Sequence, residues 1–157
     1  MPNVRPLLPP EPQDIGWWGD ASTSFGIGVV VGPSWAVWKW RSGFKVGPKE
    51  LFDIGWAEAV AVELGMRLAL QQGLLSAGNF LVRSDNEGVV KVLNKGRSRS
   101  RQTNQVLKHV YLLQAPHTVR LFGVHVAGRF NLPRFSVSFA DPTQPTDSVL
   151  HARTHNT

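Results

Sequence analysis

The stretch GWWGDASTSFGIGVVVG, residues 16–32, decides how the chain is read. It sets one charge, Asp20, inside a run of Trp, Phe, Ile and Val that otherwise suits a strand bound for a core. IGWWGDAS and FGIGVVVG are one long strand or two pieces of one. SWAVWKW (34–40) is a second strand, a shorter third is expected near GFKVG (43–47), and Gly32-Pro33-Ser34 forms the hairpin turn. Beyond these the hydrophobic period changes. In WAEAVAVELGMRLALQQG (56–73), Ala57, Ala61, Leu64 and Leu68 recur at helical spacing, and Gly73 is the stop. NFLVRS (79–84) is a short apolar strand, and SDNEGVVKVLNKG (84–96) starts a helix capped by Ser84, Asp85 or Asn86. QTNQVLKHVYLLQ (102–114) gives a further helix through Val106, Val110 and Leu113, and TVRLFGVHVAG (118–128) gives the last strand. A strand meander followed by alternating units predicts an α/β chain with a mixed sheet and helices packed on its faces.

The 157 residues suit one domain, with 42% hydrophobic and 18% charged residues. No apolar run reaches the ~18 residues of a membrane span, and the proline-broken start MPNVRPLLPPEPQ lacks the continuous apolar region of a secretory signal. Residues 1–13 are therefore expected to be a linker, 14–139 the folded domain and 140–157 a disordered tail. The expected location is intracellular, nucleus or cytoplasm. Without cysteine, thiolate metal sites and disulfides are excluded, so any metal must use oxygen or imidazole. The net charge of +6 and pI near 10.3 suit a polyanionic partner. From Gly88 to Ala140 there are nine Lys and Arg and no Asp or Glu.

Three carboxylates stand at element ends: Asp20 in the first strand, Glu58 near the start of the first helix, and Asp85 at the exit of the fourth strand. If the first and fourth strands are neighbours, a helix laid across them can point its first turn at both acids. Three anions gathered so closely normally need a hard divalent cation, and all-oxygen ligation suits magnesium or manganese. Such a site matches two-metal phosphoryl transfer. Each acid also has a local reading: Asp20 as a turn residue, Glu58 as a first-turn carboxylate favoured by the helix dipole, and Asp85 as an N-cap.

At these residues the chain resembles the ribonuclease H family, and in particular the ribonuclease H domain that follows reverse transcriptase in fungal retroelements. WWGDASTSFGIGVVVG, Trp38-Lys39-Trp40, DIGWAEAVAVELG, VRSDNEGVVKVLNKGRSRSRQTN and VHVAGRFN carry the likeness over residues 15–131. It implies a ribonuclease H-like mixed five-stranded sheet with helices on its faces. It also implies that Asp20, Glu58 and Asp85 are catalytic and hold Mg2+, with Mn2+ as a substitute, for hydrolysing the RNA strand of an RNA–DNA hybrid. The implied partner is that hybrid or another nucleic acid, with no membrane, for a monomer once fused to a reverse transcriptase domain. The family's fourth acid falls three or four residues after an Asn like Asn131, where this chain has Arg134 and Phe135. The family's final helix is also hard to match to LPRFSVSFADPTQPTD (132–147). The alternative function is therefore a catalytically inactive nucleic-acid-binding module on the same fold. A DNA-cutting or strand-transferring relative is a third reading.

KVLNKGRSRSRQTN (91–104) sets Lys91, Lys95, Arg97, Arg99 and Arg101 around a Gly- and Ser-rich loop, which is expected to contact phosphates without reading sequence. Ser22, Asn86 and Asn104 are further candidate backbone contacts, although turn and cap chemistry would also account for them. Trp35, Trp38 and Trp40 are assigned to sheet packing, with Trp38 and Trp40 on one face and Trp35 on the other. His125 is expected to be a buried structural histidine in the last strand.

Overall fold

The computed structural model describes residues 11–127 and the backbone of 150–156. The opening stretch folds back on itself as β1 (Trp17–Ala21) and β2 (Gly26–Val31), which pair antiparallel with Asp20 opposite Gly28. Gly32 turns the chain at φ +58° into β3 (Ser34–Trp40), antiparallel to β2. GFKVG is not a strand: only Val46 bridges Phe52 there. Phe44 instead joins Trp40, Phe52 and Trp56 in an aromatic cluster with ring centroids 4.5–5.9 Å apart. Burial of those rings overrides the strand propensity of the segment.

The cluster sits at the start of α1 (Ile54–Gln71), whose N-cap Asp53 accepts the Trp56 N–H at 2.9 Å. This helix lies across β1 and β2, with Ala57, Ala61, Leu64 and Leu68 all buried. The approach is close because Gly65 leaves room for the fully buried Trp17 indole. Burying a side chain of that size contributes on the order of 3 kcal/mol. β4 (Gly78–Ser84) then runs parallel to β1, and β5 (Val119–His125) runs parallel to β4. Between them lie α2 (Glu87–Lys95) and α3 (Arg101–Gln114), with α2 packed on β5 and α3 on α1. Trp17, Val82 and Gly123 share a sheet face by register, so among the described residues all three helices cover that one face.

The sheet order is β5-β4-β1-β2-β3 with a sixth strand, β6 (Leu150–Asn156), antiparallel on the outer edge of β3. Apart from β6, five strands with three helices make the expected mixed α/β sheet, the fifth strand coming from the division of the opening stretch into β1 and β2 and not from GFKVG. The added strand falls inside the 140–157 stretch expected to be disordered, so that expectation does not hold for its residues 150–156. LHARTHN has no apolar alternation, and backbone pairing with an otherwise bare strand edge forms it. At the other boundary, Gln13 N–H donates to Asn79 O at 2.8 Å, and Asp14 forms a two-pronged ion pair with Arg83 on β4. Residues 128–149, which include Arg134, Phe135 and most of the stretch where the family's last helix was sought, lie outside the described residues. No described helix is long and apolar enough to cross a membrane.

A Cβ at Gly65 would lie 2.5 Å from Trp17 Nε1 and 3.1 Å from Val29 Cγ1. Gly65→Ala is therefore predicted to lower stability by about 1–3 kcal/mol, despite a gain in helix propensity of ~1 kcal/mol. The urea midpoint checks this, and an unchanged or raised midpoint contradicts the packing described.

Candidate metal centre and its basic flank

β1 and β4 are parallel neighbours, so Asp20 near the end of β1 and Asp85 just past the end of β4 reach the same edge of the sheet. α1 crosses β1 at Gly19, where a Cβ would meet the Ala61 side chain at 3.4 Å. One turn earlier on the same helix, Glu58 faces that edge. One carboxylate oxygen from each of Asp20, Glu58 and Asp85 lies within 4.8 Å of the other two. Glu58 is buried at 3% exposure and accepts the Ala21 N–H at 3.3 Å.

Several contacts fix the elements that carry these acids. Trp40 Nε1 donates to Ser22 O at 2.8 Å, tying the aromatic cluster to the loop just after Asp20, and the same cluster holds Trp56, two residues before Glu58. On the Asp85 side, the buried Ser84 Oγ accepts the Asn86 N–H at 3.1 Å. Asn86 Oδ1 accepts the Val89 N–H at 2.9 Å, which makes Asn86 the N-cap of α2. Asp85 is thus not the cap, and its carboxylate is left for the cluster.

Burial pushes the Glu58 carboxyl up to about 8, helped by the neighbouring charges of Asp20 and then Asp85, and opposed by the Ala21 N–H bond. A second buried acid on α1 is solved differently. Glu63 accepts from Arg67 Nε at 3.0 Å and meets His109 Nδ1 at 2.8 Å. Glu63 is paired with bases, whereas Glu58 is pressed against two more acids. An all-oxygen donor set of this charge fits a hard divalent cation such as Mg2+.

His125 is not buried. It stands at the end of β5 with a 37% exposed side chain, its Nε2 3.1 Å from Asp85 O and its Nδ1 4.0 Å from Glu87. Strand periodicity hid this, because burial along β5 fades toward its C-terminal end.

The basic residues lie along α2 and the loop that follows it. Gly88, Lys91, Lys95, Arg97 and Arg99 line a cavity of about 480 Å³ beside α2, and Arg101 opens α3 as an exposed residue. A smaller cavity of about 150 Å³ shares Gly88, Val92 and Ser98 with it and reaches the N-cap Asp53 and Gly55 at the start of α1. Asn104 shapes this loop: its Oδ1 accepts the Ser98 N–H and its Nδ2 donates to Ser98 O, both at 2.8 Å. Ser22 Oγ likewise accepts the backbone N–H groups of Ser24 and Phe25 at 3.2 Å. Asn86, Asn104 and Ser22 therefore all have local structural roles.

No protein-family profile and no curated protein matches the sequence. Among solved structures, the chain is similar to RNase H1 from the halophilic archaeon Halobacterium salinarum NRC-1, at 16% identity and a TM-score of 0.46. It is also similar to the N-terminal RNase H domain of Rv2228c from Mycobacterium tuberculosis, at 16% identity and a TM-score of 0.44. Each alignment covers 73% of this chain and 86% of the other.

Because the folded pKa of Glu58 is raised above its unfolded value, the folded chain holds more protons than the unfolded one between pH about 4.5 and about 8. In the absence of divalent cations, stability should fall as pH rises through that window, by on the order of a few kcal/mol. Glu58→Gln should flatten the profile. Urea titrations across the window in chelator check this, and a native profile as flat as that of the variant contradicts it.

Proposed function

We propose that this chain is a metal-dependent endonuclease of ribonuclease H type that hydrolyses the RNA strand of an RNA–DNA hybrid. The observation that carries the reading is the convergence of Asp20, Glu58 and Asp85 within 4.8 Å at one edge of a mixed sheet. Asp20, Glu58 and Asp85 would hold Mg2+, with Mn2+ as a substitute. A pair of such ions supplies activation of the attacking water and charge neutralisation at the leaving oxygen.

The chain's own residues do the rest. Asp20 and Asp85 extend from the ends of two hydrogen-bonded strands, so their spacing is set by the sheet rather than by a loop. Glu58, on a helix fixed by the aromatic cluster, orients the attacking water. Lys95, Arg97, Arg99 and Arg101 hold the backbone of the hybrid by charge, which supplies affinity without sequence preference. Asn104 keeps that loop in shape, and Ser22 and Asn86 flank the acids as further backbone contacts. The likeness of the motif segments to fungal retroelement sequences supports an origin as the domain following a reverse transcriptase.

A second reading is favoured by one feature of the sequence: no acid occurs between Gly88 and Ala140, and Arg134 and Phe135 stand where the family carries its fourth carboxylate. A cation there would oppose binding of a second metal, leaving a module that binds nucleic acid without cutting it.

The deciding experiment is cleavage of an end-labelled RNA–DNA hybrid in Mg2+ and in Mn2+. The native chain is expected to cut the RNA strand, and Asp20→Asn to abolish cutting while preserving the melting temperature. Salt-sensitive binding with no cleavage by folded protein in either metal would establish the second reading instead.

A further inference from the structure

A third cavity lies on the far side of α2 from the basic loop. It has a volume of about 470 Å³, within the usual range for small-ligand sites, and opens between α2, α3 and the outer edge of β5. Nothing in the proposed reaction uses it. Its lining combines three kinds of group. Lys95 and Arg120 supply positive charge with no acid among the lining residues. Tyr111 and Phe122 supply aromatic surface: the Tyr111 ring is held by its hydroxyl, which donates to Gly96 O at 2.9 Å, and the Arg120 guanidinium lies 5.8 Å from the Phe122 ring centroid. The third contribution is the bare edge of β5.

That edge is closed at two points. Gln114 Nε2 donates to Val119 O at 3.2 Å. Asn94 acts as a one-residue strand, accepting the Gly123 N–H at 2.7 Å and donating to Gly123 O at 2.9 Å. By strand alternation Leu121 turns its N–H and C=O the same way, between these two brackets, where no described side chain meets them. A strand added along β5 would have to displace Asn94. A single planar group presenting one donor and one acceptor would not.

From this we infer that the cavity takes one unpaired nucleotide of a nucleic-acid strand. The base edge pairs with Leu121 N–H and C=O, the base stacks on the aromatic side chains, and the phosphate meets Lys95 and Arg120. Lys95 also lines the basic cavity on the other side of α2, so a strand can pass from one to the other without leaving positive surface. The inference rests on the nucleic-acid reading of the basic flank, but not on cleavage.

The test is binding in chelator, where no cutting occurs, of a blunt RNA–DNA hybrid and of the same hybrid with a six-nucleotide single-stranded extension. The native chain should bind the extended hybrid about tenfold more tightly, in line with one stacked base. The double variant Arg120→Ser, Tyr111→Leu should lose that preference while keeping native affinity for the blunt hybrid. As a readout independent of any variant, the backbone amide resonance of Leu121 should shift with the extended hybrid and not with the blunt one. Equal affinity for the two hybrids, a preference that survives the double variant, or a Leu121 shift seen only with a free mononucleotide or an acidic peptide would each overturn the inference. Cleavage of the blunt hybrid in Mg2+, assayed separately, reports on the nuclease reading alone.

Discussion

A buried carboxyl held against two other carboxyls is the constraint on which the site depends. Glu58 has lost most of its water and gained two like-charged neighbours, so the metal-free fold keeps its proton up to about pH 8. At Glu58 itself, the Ala21 N–H bond offsets only part of the cost of that placement. The placement is imposed by the packing of α1 on β1, where Gly19 lies against Ala61 and Gly65 against Trp17. The aromatic cluster adds a second fixed point at the helix start, and Trp40 carries it to the loop behind Asp20. The core thus does electrostatic work, since it holds together charges that would otherwise separate.

The remaining functional surface follows from where α2 starts. Ser84 and Asn86 turn the chain out of β4 and cap the helix, which leaves Asp85 at its foot and carries Lys91 and Lys95 away from the acids along its length. One short helix therefore links the acidic end to the basic loop on one side and to the β5 edge on the other. For the described residues after Gly88, among which 88–127 hold no acid, the charge separation along the sequence becomes a spatial one. Under the proposed function, a polyanion is drawn to the flank while the acids stay available for a cation.

Much of this was legible in the sequence where two signals coincided. Asp20 stood out because a charge interrupted an apolar strand, and Glu58 and Asp85 because the start of a helix and the exit of a strand are places that a mixed sheet can bring to Asp20. The hairpin at Gly32-Pro33 and the stop at Gly73 followed from turn chemistry. GFKVG looked like a strand because its residues suit one, but the partners of Phe44 are Trp40, Phe52 and Trp56, and no local pattern encodes that contact. β6 was illegible for the opposite reason: its pairing is made by backbone groups against β3, with no apolar period to read. His125 was misplaced because alternation is uniform along a strand while burial is not. The roles of Asn86 and Asn104 as cap and loop clamp were open at the sequence level, since the same amides suit phosphate contact and local hydrogen bonding.

A cation that binds the three acids must displace the Glu58 proton, because a carboxylate binds metal only when ionised. Calorimetric titration with Mg2+ at pH 7, repeated in buffers of different ionisation enthalpy, measures both events together. Saturable binding with release of about one proton per chain is predicted for the native protein, and loss of that proton with Glu58→Gln. Binding without proton release, or no saturable binding at all, would contradict the assignment of Asp20, Glu58 and Asp85 as a metal centre.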